Sequence, residues 1–268
     1  MNKFDGILLA TDLDGTLLKN DKSISKENVD AIEYFKSEGG KFTFITGRIP
    51  FASRDINNIV KSNAAIGCLN GGGIYDFEKE EYIYAELLDR KSLEFAEYTD
   101  KNFPNVGIEV ITLEGTYFCK KNKYTEKYRI DENYPDITAH YMDIKEDFAK
   151  ILLAGEREDL KEMEVAFSKL PGYSDFEWVR SDWHYFEILP KGSNKGKVLK
   201  KIAEMYNCRV SVAVGDNNND APMIEKADIS FAVSNASTLV KSLATYETVS
   251  NEEHAIAKVI EELEKMKL

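Results

Sequence analysis

The feature that most constrains the fold is a short apolar run that ends in two aspartates. Residues 7–11 have the composition of a buried strand, and Asp12 and Asp14 follow with one residue between them. Asp-Gly between apolar residues is also a signal for a hairpin turn, so this segment alone leaves two interpretations open. In a strand, residues i and i+2 point the same way, which would aim both carboxylates at one spot beyond the carboxyl end.

The order of elements around this run favours the strand. Strand patterns alternate with helical patterns in the first third of the chain, with strands predicted at residues 7–11, 41–46 and 64–70. Ser25 can cap the first helix, and Pro50 suits the first turn of the second. This βαβαβ order predicts a parallel sheet with right-handed crossovers. Helix and strand patterns alternate in the last third of the chain as well. A hairpin does not suit that setting.

The middle of the chain has a different pattern. Paired strand signals flank a turn near Glu114, and helical segments at residues 90–102 and 156–169 lie among them. We therefore predict the α/β class, with a Rossmann-like parallel-sheet core and an inserted α+β domain. The predicted limits are residues 1–81 and 190–268 for the core and 82–189 for the insertion.

Net charge limits the partners that the chain can bind. The formal net charge of −12 over 268 residues argues against a nucleic-acid surface, which needs a basic face. The N-terminus has no secretory pattern, no apolar run approaches a membrane span, and Cys68, Cys119 and Cys208 are widely spaced. We expect a cytoplasmic protein with reduced thiols and with neither a nucleic-acid nor a membrane partner. An anionic ligand would need local cations to overcome the overall charge.

Two further strand ends carry polar side chains. The second strand ends in Thr46, Gly47 and Arg48, where a hydroxyl and backbone amides could hold a phosphate, although a plain turn fits equally well. A later strand ends in Asp216, the position that Asp12 has on its own strand. Because open α/β sheets bind ligands at the carboxyl ends of their strands, we interpret Asp216 as a metal-facing carboxylate.

The segment after Asp216 has alternative interpretations. Asn219 and Asp220 open a short helix, and a helix N-cap explains Asp220 as well as a site residue does. The segment also matches the first three ligand positions of an EF-hand calcium loop. Ala221 and Ala227 replace the glycine and the glutamate that this loop requires, so we exclude the motif.

A glycine-rich turn with several lysines opens a helix in the last third of the chain. Lys191, Lys195 and Lys197 oppose the dipole of that helix, and a bound anion would relieve the cost. A solvated helix start is the alternative. An ammonium group at this point would also offset the carboxylates at the strand ends.

These parts together are typical of a phosphoryl-transfer site. Clustered carboxylates suit Mg²⁺, which prefers oxygen ligands and screens an anionic nucleophile from an anionic phosphate. One aspartate would attack phosphorus, and a second would protonate the leaving alkoxide and then take a proton from water. A lysine would balance charge on the equatorial oxygens of the phosphoryl group.

The motifs resemble, in their order along the chain, those of the haloacid dehalogenase superfamily of phosphatases. The segments DLDGTLL, TGR, LNGG, PKGSNKG and GDNNND are specific as a set and cover both core segments. The chain looks like the Cof-type branch, whose large α/β cap is inserted after the third core strand. One position departs from the pattern, because His254 lies near the last helix where the family often has glycine.

The resemblance implies a role for each matching residue. It makes Asp12 the nucleophile and Asp14 the general acid/base, and it makes Asp12, the Asp14 backbone carbonyl and Asp216 the ligands of Mg²⁺. The other implied residues bind phosphate or support the site: Thr46, Gly47, Lys195 and Asn219 for phosphate, with Asp220, Arg48 and Asn70 in support.

The resemblance also implies a Mg²⁺-dependent phosphatase that hydrolyses small phosphorylated metabolites through an aspartyl phosphate. Sugar phosphates are the leading substrates, and FMN and pyridoxal phosphate are other candidates. The alternatives are a phosphotransferase or phosphomutase, and a non-catalytic phospho-ligand sensor. Cap residues that could contact the leaving group, but could equally pack the core of the cap, are Trp178, Arg180, Trp183, His184 and Tyr185.

Overall fold

The computed structural model describes residues 2–266 and 268, and the chain divides into two compact units. Met1–Tyr84 and Asn194–Leu268 form the first, called here the core unit, and Ala85–Ser193 forms the second, the inserted unit. Each has its own sheet and its own hydrophobic core. Within the described residues, no helix has the length and apolar character needed to cross a membrane.

The first segment of the core unit alternates strands and helices before it ends in short strands. These elements are β1 (Ile7–Thr11), α1 (Lys26–Ser37), β2 (Lys41–Phe44), α2 (Pro50–Val60), β3 (Ile66–Cys68), β4 (Gly73–Asp76) and β5 (Glu81–Ala85). Ser25 Oγ accepts a hydrogen bond from Asn28 N at 3.3 Å, and Pro50 is the first residue of α2. Both helices therefore begin where the capping signals predict.

The inserted unit combines an antiparallel sheet with helices. Its elements are α3 (Leu93–Asn102), β6 (Gly107–Thr112), β7 (Thr116–Lys120), α4 (Lys123–Asp131), β8 (Phe148–Ala154), α5 (Arg157–Phe167), β9 (Phe176–Asp182) and β10 (Tyr185–Pro190). The strands lie in the order β7-β6-β8-β10-β9, and neighbouring strands are antiparallel. Phe95 of α3 and Phe167 of α5 share one hydrophobic core with alternate residues of the strands.

The last segment completes the core unit. Its elements are α6 (Lys195–Met205), β11 (Val210–Gly215), α7 (Ala221–Lys226), β12 (Ile229–Ala232), α8 (Thr238–Leu243), β13 (Tyr246–Glu247) and α9 (Ala255–Met266). Three of these strands join β1 and β2 in a parallel sheet with the order β13-β12-β11-β1-β2. The predicted α/β class is confirmed.

β1 is an interior strand of the parallel sheet, between β11 and β2, and its sequence is almost entirely apolar. β1 is buried at every position and pairs with β2 on one side and β11 on the other. Strands buried on both faces have continuous apolar sequences, which is why residues 7–11 show no polar alternation. Thr11 lies opposite both Val214 and Phe44, so the three strands end at the same level.

One strand predicted for the parallel sheet belongs to a different sheet. β3 pairs with β4 in an antiparallel arrangement within the sheet β3-β4-β5, and an isolated bridge between Ile45 and Gly67 connects it to the chain after β2. Leu69, Asn70 and Gly71 all have positive φ and turn the chain back into β4. The apolar pattern predicted a buried strand correctly, but such a pattern does not identify the pairing partner.

Candidate active site

The ends of three parallel strands bring polar side chains to one edge of the core sheet. Asp12 follows β1, and its backbone N–H donates to Val214 O at 2.9 Å, which keeps it beside β11. Asp216 follows β11, and Thr46 lies just beyond β2. The common register of the strands, rather than closeness in sequence, therefore assembles the site.

A buried lysine connects two of the carboxylates. Lys195 is 1% exposed, and its Nζ lies 2.6 Å from Asp12 Oδ1 and 2.6 Å from Asp220 Oδ1. Burial alone would lower the pKa of Lys195, but the two carboxylates outweigh burial and raise the pKa. Lys195 is the first residue of α6 and Asn194 is its N-cap, so the start of the helix fixes the ammonium group.

The other two lysines of this turn have different surroundings. Lys197 Nζ lies 5.9 Å from the centre of the Tyr84 ring, and Lys191 Nζ lies 3.4 Å from Phe176 O within the inserted unit. Lys195 is thus the lysine of this turn whose ammonium group contacts the strand-end carboxylates, and its contact with phosphate stays a prediction.

Asp220 stabilises the turn that follows β11. Its Oδ2 accepts from the backbone N–H of Asp216 at 2.9 Å and from that of Asn217 at 3.0 Å, while its Oδ1 accepts from Lys195. The side chain makes no capping bond to α7; it forms a capping box with Asn217 in the preceding 3₁₀ turn. Asp220 therefore links the lysine to the turn that carries Asp216.

The carboxylates of the core unit form a candidate cation site. One oxygen each from Asp12, Asp216 and Asp220 lies within 4.8 Å of the others. Burial and the nearby Asp220 raise the pKa of Asp12 to about 7 and that of Asp216 to about 8. One ammonium group therefore faces three carboxyl groups, and a divalent cation would supply the missing positive charge.

The donor set of this site fits Mg²⁺. The carboxyl groups of Asp12, Asp216 and Asp220 offer only oxygen ligands, which this hard cation prefers. Asn219 Oδ1 is also buried and has no hydrogen-bond partner among residues 2–266 and 268. A buried acceptor of this kind calls for a donor, and a water molecule bound to the cation or an atom of a ligand would provide one.

Gly15 and Thr16, which follow the neighbouring strand β1 at the same edge of the sheet, orient Asp216. The φ of Gly15 is +78°, and a Cβ there would lie 2.5 Å from Asp216 Oδ2, so only glycine fits. Thr16 Oγ1 donates to Asp216 Oδ1 at 3.1 Å. The DLDGT segment thus supplies Asp12 and also positions the carboxylate of β11.

Asp14 contacts a different set of groups from Asp12. Arg48 binds it through both carboxylate oxygens, with Nη2 2.8 Å from Oδ1 and Nε 3.0 Å from Oδ2, and Lys22 Nζ lies 2.6 Å from Oδ1. Burial alone would raise the pKa of Asp14, but Arg48 and Lys22 outweigh burial and lower the pKa to about 2. Its metal ligation through the backbone carbonyl stays a prediction.

Three of the predicted phosphate-binding residues, Thr46, Gly47 and Asn219, lie beside Asn70. Asn70 N donates to Thr46 O at 3.0 Å, and Asn70 Oδ1 accepts from Asn219 Nδ2 at 3.1 Å. A Cβ at Gly47 would lie 2.9 Å from Asn70 Nδ2, which explains the small residue in the TGR segment. The structure thus brings these residues to Asn70, Asn219 through its side chain and Thr46 through its backbone, and their contact with phosphate stays a prediction.

Two tryptophans of the inserted unit have contrasting surroundings. Trp178 stacks on Tyr173, with ring centres 4.6 Å apart, and on Phe186 at 5.5 Å, against the hydrophobic core of the unit. Trp183 is 59% exposed, and the Arg157 guanidinium lies 3.7 Å from the centre of its ring. Trp178 therefore packs against the hydrophobic core of the inserted unit, whereas the ring of Trp183 is largely exposed to solvent.

The other three candidates of the inserted unit contact that unit itself. Arg180 Nη2 donates to Glu164 at 2.9 Å, and its Nη1 is buried without a hydrogen-bond partner among the described residues. A ring nitrogen of His184 lies 3.0 Å from Gly155 O, and Tyr185 Oη donates to a carbonyl of α4 at 3.4 Å. Contact of any of them with a leaving group stays a prediction.

Sequence reasoning missed two residues that the structure places at the site. Thr16 lies within the DGT segment, so its position directly after Gly15 was an available signal for a contact near the strand ends. Lys22 lies in a polar turn at residues 19–23, where a lysine is ordinary. Its contact with Asp14 follows from the path of the loop, which no local pattern reveals.

Comparison with known proteins identifies the family. Residues 9–260 match the family described as haloacid dehalogenase-like hydrolase. The chain belongs to this family. The 5-amino-6-(5-phospho-D-ribitylamino)uracil phosphatase YitU of Bacillus subtilis (strain 168) is 29% identical over 269 residues, which cover 95% of this chain and 96% of the relative. The phosphatase YwpJ of Bacillus subtilis (strain 168) is 28% identical over 286 residues, which cover 96% and 99% of the two chains.

A solved structure agrees with the family assignment. The crystal structure of a haloacid dehalogenase-like hydrolase from Bacteroides thetaiotaomicron has a TM-score of 0.83 and 25% identity, and it covers 97% of this chain and 100% of that chain. The resemblance stated from the motifs is confirmed. This haloacid dehalogenase-like hydrolase is therefore an enzyme of the phosphatase class, as the names of its relatives indicate.

Proposed function

We propose that this phosphatase hydrolyses monoesters of small phosphorylated metabolites through an aspartyl phosphate on Asp12. The observation that carries the proposal is the buried contact of Lys195 with Asp12 at 2.6 Å, beside the carboxyl group of Asp216. This contact holds one Asp12 oxygen, and the lysine would balance charge on the phosphoryl oxygens in the transition state. Thr46, the Gly47 amide and Asn219 would bind the same phosphoryl group.

The proposed chemistry has two balanced steps. An Asp12 oxygen forms a bond to phosphorus while the bond between phosphorus and the leaving oxygen breaks, and Asp14 gives its proton to that oxygen. Water then attacks phosphorus, Asp14 takes a proton from the water, and inorganic phosphate leaves the regenerated Asp12 carboxylate. The negative charge of the bound phosphoryl group favours the protonated form of Asp14 before the first step.

We assign Mg²⁺ to the oxygen donors of Asp12, Asp216 and the Asp14 backbone carbonyl. When bound, the ion would neutralise charge between the carboxylate and the phosphoryl group. Asp220 keeps the turn of Asp216 in place through its bonds to two backbone amides.

Sugar phosphates and their polyol relatives are the proposed substrate class. One relative is named for an ester on a ribityl chain, 5-amino-6-(5-phospho-D-ribitylamino)uracil, which supports a hydroxyl-rich leaving group. Among the candidates in the inserted unit, the exposed ring of Trp183 is the best suited to contact such a group.

The test of the proposed function is Asp12→Asn. We expect the variant to fold, to release no phosphate from a panel of phosphorylated metabolites with Mg²⁺, and to lose the binding of beryllofluoride, a mimic of the acyl phosphate. Wild type should release phosphate without an added acceptor, since water is the acceptor. Hydrolysis by a folded Asp12→Asn protein would refute the mechanism, and release that requires an added sugar would identify a phosphotransferase.

A further inference from the structure

The carboxylate of Asp14 is bound by two cations of very different exposure. Arg48 is 8% exposed and contacts both oxygens in the planar fork geometry of a guanidinium. The Lys22 side chain is 57% exposed and contacts Oδ1. The contacts turn the carboxylate of Asp14 toward Arg48, outside the group formed by Asp12, Asp216 and Asp220.

Arg48 is anchored by its own backbone and by the helix beside it. Its N–H donates to Thr46 Oγ1 at 3.2 Å, and its carbonyl accepts from Leu69 N at 3.0 Å. Its Nη1 lies 3.4 Å from Ala52 O in the first turn of α2. The guanidinium is therefore held on both sides, and it can in turn fix the direction of the Asp14 carboxylate.

Lys22 lies in a short turn that backbone hydrogen bonds hold. Lys22 N donates to Lys19 O at 2.9 Å, and Lys19 N donates to Ser23 O at 2.9 Å. An exposed lysine loses side-chain entropy when it pairs, and salt screens the pair, so such contacts add little free energy. Arg48 is thus the stronger anchor of the two.

We propose that Arg48 is the positioning residue of Asp14, and that Lys22 is an auxiliary contact. The role rests on the proposed function, in which Asp14 passes a proton to the leaving oxygen and becomes a carboxylate. A bidentate guanidinium holds that carboxylate in one orientation during the transfer, and misplacement of a catalytic group by about 1 Å can cost about 10²-fold in rate. Arg48 acts on the ester only through Asp14.

The proposal predicts a loss that depends on the leaving group. We would measure kcat/KM, which reports the phosphorylation of Asp12, for the alkyl phosphate that wild type hydrolyses fastest and for p-nitrophenyl phosphate. Arg48→Met should lower the value for the alkyl ester about 10²-fold and that for the aryl ester less than about 10-fold, because nitrophenolate leaves without a proton. KM for the alkyl ester should change little.

Three further variants sharpen the measurement. Arg48→Lys keeps the positive charge but loses the bidentate guanidinium geometry, so it should recover part of the activity on the alkyl ester that Arg48→Met loses. If Arg48→Met does not fold, Arg48→Lys serves as the test. Arg54→Met removes an exposed arginine of α2 that pairs with Glu80, and it should match wild type. Lys22→Met should lose less than Arg48→Met, and a larger loss would contradict the assignment of the main anchor.

A double-mutant cycle separates positioning from a structural role. In an Asp14→Asn background, Arg48→Met should change the ratio of alkyl to aryl kcat/KM less than about twofold, because the interaction has already been removed. A full further loss in that background, or equal losses on both esters in the single variant, would overturn the proposal. The proposed function itself fails in a different way, with no phosphate release from either ester by wild type.

Discussion

Both units bury a lysine among carboxyl groups, and the two clusters differ in where the strands place them. In the core unit, Lys195 contacts Asp12 and Asp220 beyond the ends of β1 and β11. In the inserted unit, Lys150 Nζ lies 2.9 Å from Glu187 Oε2, and the two residues lie inside β8 and β10. The lysines are equally buried, so burial does not distinguish the clusters.

The two clusters resolve their excess of negative charge in different ways. Glu109 of β6 is fully buried, and its carboxyl oxygens have no hydrogen-bond partner in the part of the chain that the structure describes. Burial raises the pKa of Glu109 well above its usual range; Lys150 opposes this effect, and Glu187 and Glu132 add to it. In the inserted unit a proton on Glu109 can relieve the excess negative charge, whereas in the core unit, where burial also raises the pKa of Asp12 and Asp216, a cation can relieve it.

The difference teaches which buried ion pairs indicate a reactive site. Inside an antiparallel sheet, the neighbouring strands leave polar side chains to neutralise one another, and a protonated carboxyl avoids the cost of a buried charge. At the ends of parallel strands, the backbone is open to a ligand and the excess charge attracts one. Position in the sheet and uncompensated charge, rather than the ion pair alone, distinguish the candidate active site from the inserted cluster.

We expect the largest effects when Lys195 or Lys150 is replaced by methionine. Lys195→Met should lower kcat/KM for every phosphate ester by about 10²–10³-fold, because it removes stabilisation of charge that all transition states share. Lys150→Met should instead lower the free energy of unfolding by about 3–5 kcal/mol, because it leaves Glu187 buried without its ammonium partner. Activity assays and urea unfolding of both variants check the contrast. A uniform activity loss in a stable Lys150→Met protein would place the inserted cluster in the chemistry.

Cation binding is the next largest effect and should involve the core cluster alone. Mg²⁺ at about 100 times its Kd should raise the free energy of unfolding by about 2.7 kcal/mol, because the ion binds the folded state. EDTA should remove this gain together with the activity. Asp216→Asn should abolish the gain, and Glu187→Gln serves as the matched control that retains it. A metal-independent melting temperature and full activity in EDTA would refute the site.

The strand-end residues could be predicted because local patterns fix them. An apolar run followed by acid, as at Asp12 and Asp216, determines both the strand and the residue at its end. Ser25 and Pro50 likewise fix helix starts through their own backbone chemistry. These signals lie within a few residues of the structure that they specify.

The inserted cluster could not be predicted, because its members come together only through the pairing of strands. Glu109 and Glu187 both lie opposite Leu152 of β8, on its two sides, and this register is not encoded near either glutamate. Lys22 meets Asp14 through the path of a loop for the same reason. His254 has φ of +64°, a left-handed backbone conformation that suits glycine, the residue that the family resemblance leads us to expect at this position.

The pH dependence that Glu109 imposes is the smallest predicted effect when it is measured over a single pH unit. In the unfolded chain Glu109 ionises near its ordinary pKa of 4.5, whereas the folded protein retains the proton to higher pH. At this group the folded state then binds more protons than the unfolded state, so the contribution of Glu109 to stability is greatest at low pH and falls as pH rises above 4.5, by at most about 1.4 kcal/mol per pH unit. Glu109→Gln should remove this slope and gain stability relative to wild type between pH 5 and pH 8.

Urea unfolding at several pH values measures that slope. Glu162→Gln, at an exposed position on α5, is the matched control and should leave the slope of wild type unchanged. If Glu109→Gln also leaves it unchanged, Glu109 is ionised in the folded protein, and Lys150 then faces more than one carboxylate. The inserted cluster would in that case carry uncompensated charge as the core cluster does, and by the same argument it would be a candidate ligand site.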